Sequence, residues 1–476
     1  MKRKINILVK NGIVVTMNEK RHILKEGAVA IAKDKIVTVE KSNDAEKKYS
    51  SDLVLDAKGK IILPGFIAAH LHLIESFPRG FLDDLNWGDV GTKSAMERLW
   101  PYKLAMTRED VYYSALLANL EMIKSGITCF CDPAADPEFY DEHFRATEES
   151  GIRGVITRSN IMRSNPGYEI PSGMIDTPDK AIRESLKMIE KWQGRGGGRL
   201  RPWLGVRHIH SATKEFLLAT AKQQKRLSQT LGYRIGITGH AAYSRGGLED
   251  VVRQTGKREI EWLDSLGVIG PHWLLAHARL LADQEIDLLQ KHDVKIATCP
   301  SATMHCGGGA HKFRLLDMME KGVTVCISPD AAWSNNNLDM FLDMRHLAFV
   351  QKDIHLDGSL VPAETVMEMA TLNGAKAVLW EDEIGCLKPG MKADLIIVDP
   401  WRANSIPLHD HNIIKNLVYA IHGDQVETSI CDGKIIMENR EVKTLDEKDI
   451  INKSQKLTEN ILGRHPIKLQ SPWPII

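Results

Sequence analysis

An eight-stranded β/α barrel carried between two β-rich chain ends is the fold this 476-residue sequence predicts, on three observations. Short apolar runs alternate with helical stretches, as parallel strands alternate with their crossover helices. Several of those runs, at 64–72, 233–240, 273–277, 294–300 and 323–330, end in a histidine, cysteine or aspartate. A closed barrel collects functional residues at the carboxyl ends of many strands, whereas an open doubly wound sheet places its ligand at one switch point.

Residues 5–39 read as a β-meander: Ile7-Leu8-Val9, a turn at Asn11-Gly12, Ile13-Val14-Val15, then strands at 28–32 and 35–37. Helical patterns follow at 108–125, 180–192, 213–231, 283–292 and 362–378. Strands return at 393–398 and 425–430, with a hairpin through 431–436 that turns at Asp432-Gly433. The division implied is 1–57 and 385–440 as the two parts of a small β-sandwich, 58–384 as the barrel, and 441–476 as a C-terminal helix, around Glu447 to Leu462, and tail.

Composition narrows the partners. The formal net charge is zero, and no basic run with interleaved aromatics suggests nucleic acid. No segment has the length and apolarity of a signal peptide or a membrane span, so a cytoplasmic protein with a small-molecule substrate is expected. Seven cysteines, an odd number, read as reduced core thiols. Cys129-Phe130-Cys131 is too closely spaced for a zinc knuckle.

His70 and His72 close the apolar run at 64–72, and side chains two apart on a strand share a face. That makes them a pair of metal ligands in waiting. Alone the pair is a weak signal; the set PGFIAAHLHL, SGITCFCD, LLAHARLLADQEI, SPDAAWSNNNLDMF, TLNGAKAV and IGCLKPGMKADLIIVD strengthens it. In that order these segments resemble the amidohydrolase superfamily, in the branch with cytosine deaminase, guanine deaminase and the s-triazine hydrolases, from the first strand to about residue 440.

The resemblance implies one divalent metal held by His70, His72, His240 and Asp330. Three imidazoles and a carboxylate suit zinc first, and also iron, cobalt or manganese. Such a metal lowers the pKa of bound water to about 7. His277 matches a histidine that lies beside the metal and touches substrate or water, and Asp330 could also take the proton from water. Relatives with two metals carry a carboxylated lysine on the fourth strand; the candidate strand at 152–158 has no lysine, which implies a single ion. A homodimer is implied by resemblance alone.

One position departs from the family pattern. Relatives follow the fifth-strand histidine three residues later with a glutamate that shuttles protons, where this chain has Tyr243. Tyr243 can donate a hydrogen bond but is a poor base at neutral pH. Three explanations stay open: Asp330 and His277 move the protons while Tyr243 supports the oxyanion; the carboxylate has moved to Glu75, which otherwise would pair with Arg79; or hydrolysis is lost and a silent metal-binding scaffold remains.

Arg207, His208 and His210 fall on an expected strand-to-helix loop at 206–213 where relatives contact substrate, and His305, His311 and Trp333 are candidates for the pocket mouth. The Ser301-Ala302 pair replaces a usual Ser-Asn, and the glycine run at 307–309 lacks a phosphate-loop signature. The expected reaction is hydrolysis of a non-peptide C–N bond, in an amide, urea, carbamate or amino-heterocycle. Metal-activated water would attack an electrophilic carbon and expel an amine or ammonia. The alternative is a triazine-type deaminase or dechlorinase that uses Glu75.

Overall fold

The computed structural model describes residues 1–81, 83–85, 93–164, 170–465 and 473, side chains at 93–96 excepted. Phe66–Ala68, Ile127–Ala135, Arg153–Arg158 and Leu200–Pro202 pair in that order in a four-stranded parallel sheet. Leu204–His208, Ile237–Ala241, Trp273–His277, Lys295–Thr298 and Val325–Ile327 form a five-stranded parallel sheet. Ile127–Ala135 and Arg153–Arg158 are buried along their whole lengths. Continuous burial is what a parallel strand covered on both faces requires.

Two seams relate these sheets. Trp203 alone separates Leu200–Pro202 from Leu204–His208, and the chain stays beside the third strand, with Trp203 N donating to Ile156 O (3.1 Å) and Arg207 N to Asn160 O (3.1 Å). At the other edges Leu71 bridges Asp330 in parallel. There Asp330 N donates to His70 O (3.3 Å) and His70 N to Ser328 Oγ (2.8 Å). The result is an α/β architecture of parallel sheets consistent with the expected barrel.

The expected helices are present, with capped starts. Thr107 and Asp110 form a reciprocal capping box ahead of Arg108–Lys124, and Thr177 and Thr213 cap Pro178–Trp192 and Lys214–Thr230. The single helix expected over 362–378 is two, Ala363–Ala370 and Leu372–Ala377. Thr371 breaks it at φ −125°, ψ −81°, its hydroxyl turning back to Met367 O (2.7 Å).

Both chain ends meet in one nine-stranded sheet. Its order is Glu441–Val442, Lys434–Glu438, Val426–Cys431, Leu395–Val398, Ile61–Pro64, Arg3–Val15, Ile23–Ala32 and Lys35–Lys41, with Tyr49–Asp56 also pairing with Arg3–Val15. Two expectations are corrected here. Ile61–Pro64 belongs to this sheet, past the boundary expected at residue 57, because it ladders with Leu395–Val398. Asn11-Gly12 is no turn but an irregularity within one long strand: Asn11 takes φ 64°, and the strand changes partner from Tyr49–Asp56 to Ile61–Pro64. Asn tolerates that left-handed backbone, and a Cβ at Gly12 would meet Ile62 Cδ1 at 2.6 Å.

The C-terminal helix Glu447–Arg464 docks on Arg108–Lys124. Lys124 pairs with Glu447 (2.8 Å) and Lys453 donates to Tyr113 Oη (2.7 Å). No helix among the described residues is long and apolar enough to cross a membrane. All seven cysteines are unpaired.

Candidate functional site

The strand ends bring His70, His72, His240, His277 and Asp330 together. The ring centres of His70 lie 4.8, 4.7 and 5.2 Å from those of His72, His240 and His277. Asp330 Oδ1 is 3.5 Å from His70 Nε2 and 3.4 Å from His72 Nε2, and His72 and His240 face each other, Nε2 to Nε2, at 3.3 Å. His70, His72 and Asp330 each offer a ligand atom within 4.8 Å of the others, as do His70, His240 and His277.

This cluster fits a cation. Both ring nitrogens of His70 and Nδ1 of His72 are buried without a hydrogen-bond partner, a costly arrangement for polar atoms. His240 Nδ1 lies 2.5 Å from Arg207 O. A carbonyl only accepts, so Nδ1 carries the proton and Nε2 presents a lone pair, the usual tautomer lock of a ligand histidine. Burial, with neighbouring positive charge, pushes His72 and His240 well below the ordinary histidine range. His277 is pushed down to about 3, mainly by burial. Burial works against the charge of Asp330, yet His70 and then His277 hold its carboxyl below the usual range.

The backbone is bent at these positions. Ala242, His277, Ala278 and Asp330 adopt φ of 47°, 69°, 44° and 67°, a conformation that costs non-glycine residues of order 1–3 kcal/mol each and that clusters at functional sites. Just before His240, a Cβ on Gly239 would lie 1.9 Å from Val206 O. Only glycine lets the strand of His240 approach the neighbouring strand, which carries Arg207, so closely.

Arg207 and His208 end a strand and His210 lies in the short helix Ile209–Ser211, which corrects the loop expected at 206–213. Counted with Leu200–Pro202 as one strand interrupted at Trp203, this is the fourth strand and 152–158 is the third; it too lacks lysine. Val206 pairs with Gly239 and His208 with His240, so Arg207 is the extra residue of a bulge, a device that re-aims side chains beside active sites. His208 stacks on His210 at 5.0 Å and 6°. Tyr243 packs within 5.5–5.9 Å of His208, His210, His240 and His277. Beneath them Glu259 accepts from Ala242 N (2.6 Å) and approaches His210 Nδ1 at 3.5 Å.

Glu75 is fully buried and does not pair with Arg79, which binds Glu121 instead. Its partners are Lys103 and Trp333, which both donate to it, with an Arg207 nitrogen 3.6 Å away. His305 Nε2 reaches Asp83 (3.1 Å), and His311 lines a cleft of about 680 Å³ with Arg279 and Arg314. The glycine run also finds a use. A Cβ on Gly308 would stand 1.7 Å from a guanidinium nitrogen of Arg279, and Arg279 Nε donates to Tyr243 O (2.8 Å).

Sequence reasoning passed over Lys103, Trp100, Asp132 and Glu259. Asp132, in the quoted SGITCFCD segment, accepts from Ala134 N (3.0 Å) and binds His143 (2.9 Å) while lying 3.9 Å from His72 Nδ1. An acid within an otherwise apolar run was the available signal for it.

Comparison with known proteins agrees with this geometry. Residues 61–436 match the model of the amidohydrolase family. A 5'-deoxyadenosine deaminase of Methanosarcina mazei is 34% identical over 459 residues, covering 96% of this chain and 99% of that one. A 5-methylthioadenosine/S-adenosylhomocysteine deaminase of Thermoanaerobacter pseudethanolicus is 32% identical over 461 residues, 97% and 100% of the two chains. Among solved structures, an adenosine deaminase from Xanthomonas campestris with bound zinc superposes with a TM-score of 0.87 at 24% identity, covering 97% of this chain and 100% of that one. A mutant atrazine chlorohydrolase from Arthrobacter aurescens, complexed with zinc and atraton, gives 0.85 at 21% over 95% and 100%. The chain belongs to the amidohydrolase family and is a metal-dependent hydrolase of C–N bonds other than peptide bonds.

Proposed function

We propose that the chain is an aminohydrolase of a planar amino-heterocycle: water replaces the exocyclic amino group, leaving a ring carbonyl and ammonia. The observation that carries this reading is the convergence of four imidazoles and Asp330 at strand ends, walled by flat side chains: the His208–His210 stack and Tyr243. The deaminase names of its relatives support it.

We assign His70, His72, His240 and Asp330 as ligands of a single divalent ion, with zinc favoured because two structural neighbours hold it. When bound, that ion supplies water acidic enough to attack near neutral pH. Asp330 turns Oδ1 toward the His70 and His72 rings and its second oxygen takes the proton from the attacking water. His277, kept neutral by burial, orients that water and relays to the departing nitrogen the proton that Asp330 has taken, so that both residues return to their starting states. Tyr243 donates its hydroxyl proton to the developing negative charge. Glu75 is a post rather than a shuttle, since Lys103 and Trp333 already donate to its two carboxylate oxygens.

In this reading the two parallel sheets, with Leu200–Pro202 and Leu204–His208 counted as one strand interrupted at Trp203, form one closed eight-stranded barrel and the nine-stranded sheet folds into a sandwich; the proposed divisions are 1–64, 65–384, 385–440 and 441–476. His305 and Trp333 border the substrate, with Arg207, His208 and His210 along its wall. A homodimer in the cytoplasm completes the proposal, a setting that seven unpaired cysteines suit.

The test is elemental analysis of purified protein together with ammonia release from amino-heterocycles, 5'-deoxyadenosine included, and from ureas and carbamates. About one divalent ion per chain with release from ring amines is the expected result. Release confined to ureas or carbamates, or none from fully loaded protein, overturns it.

A further inference from the structure

Beside the histidine cluster lie three buried charges, two positive and one negative. Lys103, Arg207 and Glu75 are 7%, 4% and 0% exposed. Glu75 is engaged by Lys103 and Trp333, so Arg207 finds it only at 3.6 Å. Arg207 Nε is buried without a hydrogen-bond partner. The guanidinium also lies 5.9 Å from the ring of Trp100, which Lys103 approaches at 5.4 Å.

A single carboxylate, Glu75, is therefore shared by two buried cations, and the Nε donor of Arg207 stays unused. Breaking or under-compensating a buried ion pair costs several kcal/mol, and an arginine fork with unused donors is built for an oxygen anion. The bulge at Arg207 turns this side chain toward the cluster rather than into the barrel wall.

We propose that this site selects a substrate carrying an anionic oxygen, either a carboxylate or an ionised ring oxo group, which Arg207 reads with Lys103 at its side. Glu75 and Trp333 act as positioning residues that hold Lys103 in place. This inference rests on the amino-heterocycle reading above and adds the charge of the substrate: an anionic heterocycle instead of a neutral nucleoside.

Binding calorimetry on the full-length, metal-loaded protein tests it with non-reacting probes: uracil as the neutral ring, orotate as its carboxylate and barbiturate as an ionised oxo ring. At least one anion should bind tenfold or more tighter than uracil, and which one does so separates the two sources of the charge. Arg207→Gln should erase that preference with metal content unchanged, and Lys103→Met should reduce it. Equal affinities for all three probes, or a preference that survives both substitutions, overturns the proposal. Should Arg207→Gln fail to fold, Lys103→Met carries the same test. Cytosine and cytosine-5-carboxylate are assayed in parallel for ammonia. Tight anion binding without ammonia from any ring amine would sink the aminohydrolase reading and leave the anion site standing.

Discussion

Replacing Asp343 by asparagine should change how stability depends on pH. Asp343 lies buried on the helix Met340–Ile354, accepting from Ser301 N (3.3 Å) and Asn335 Nδ2 (3.1 Å). It thereby ties together the loops that follow the seventh and eighth strands, the second of which carries Asp330. Burial pushes its carboxyl from 3.8 up to about 7. Between those values the folded protein keeps a proton that the unfolded chain releases, so stability from this group falls as pH rises through the window. At about 1.4 kcal/mol per pH unit the full span amounts to ~4 kcal/mol. Asparagine has no such ionisation, and its fixed cost, a donor set against the Ser301 or Asn335 donor, is the same at every pH. The variant should therefore gain on the wild type between pH 4 and pH 8, by up to ~4 kcal/mol in the difference of their unfolding free energies. Urea unfolding of both proteins at pH 4.5, 6 and 8, followed by tryptophan fluorescence, measures that difference while other ionisations cancel. A difference that is flat with pH, or that grows in the opposite direction, refutes the reasoning.

Other outcomes follow from the site. His277→Ala should cut ammonia release at least 100-fold, the size usual for loss of a positioned proton-transfer group, while metal content stays near wild type; equal turnover would remove His277 from the reaction. Gly239→Ala forces Val206 O and His240 apart, so the protein should purify with much less metal, and full metal occupancy would show that the close approach is dispensable. Glu75→Gln uncovers two buried cations and should cost ~3–5 kcal/mol of stability. If turnover collapses while the unfolding midpoint stays put, Glu75 is a shuttle after all.

The strand ends were legible because strand periodicity and metal-ligand chemistry coincide in short segments: His70 and His72 two apart, His277 and Asp330 each closing an apolar run. Asn11-Gly12 misled because a residue tolerant of positive φ serves a strand irregularity as readily as a turn. The helix expected over 362–378 hid its break because Thr371 fits the pattern and acts through its hydroxyl. Lys103 escaped notice for a different reason. It meets Glu75 across 28 positions, and Trp333 meets Glu75 across 258; no local pattern encodes such a meeting. The Arg207 bulge is likewise a property of pairing between two strands, invisible in either one.

That bulge joins two tasks in one residue. The carbonyl of Arg207 fixes the ring of His240 while its guanidinium faces Glu75. A ligand that draws the guanidinium therefore tugs on the strand that orients an imidazole we assign to the metal. Thermodynamic linkage makes such a coupling reciprocal: whatever factor an anion adds to the grip on the ion, the ion must add to the grip on the anion. In such a lever, emptying either seat loosens the other.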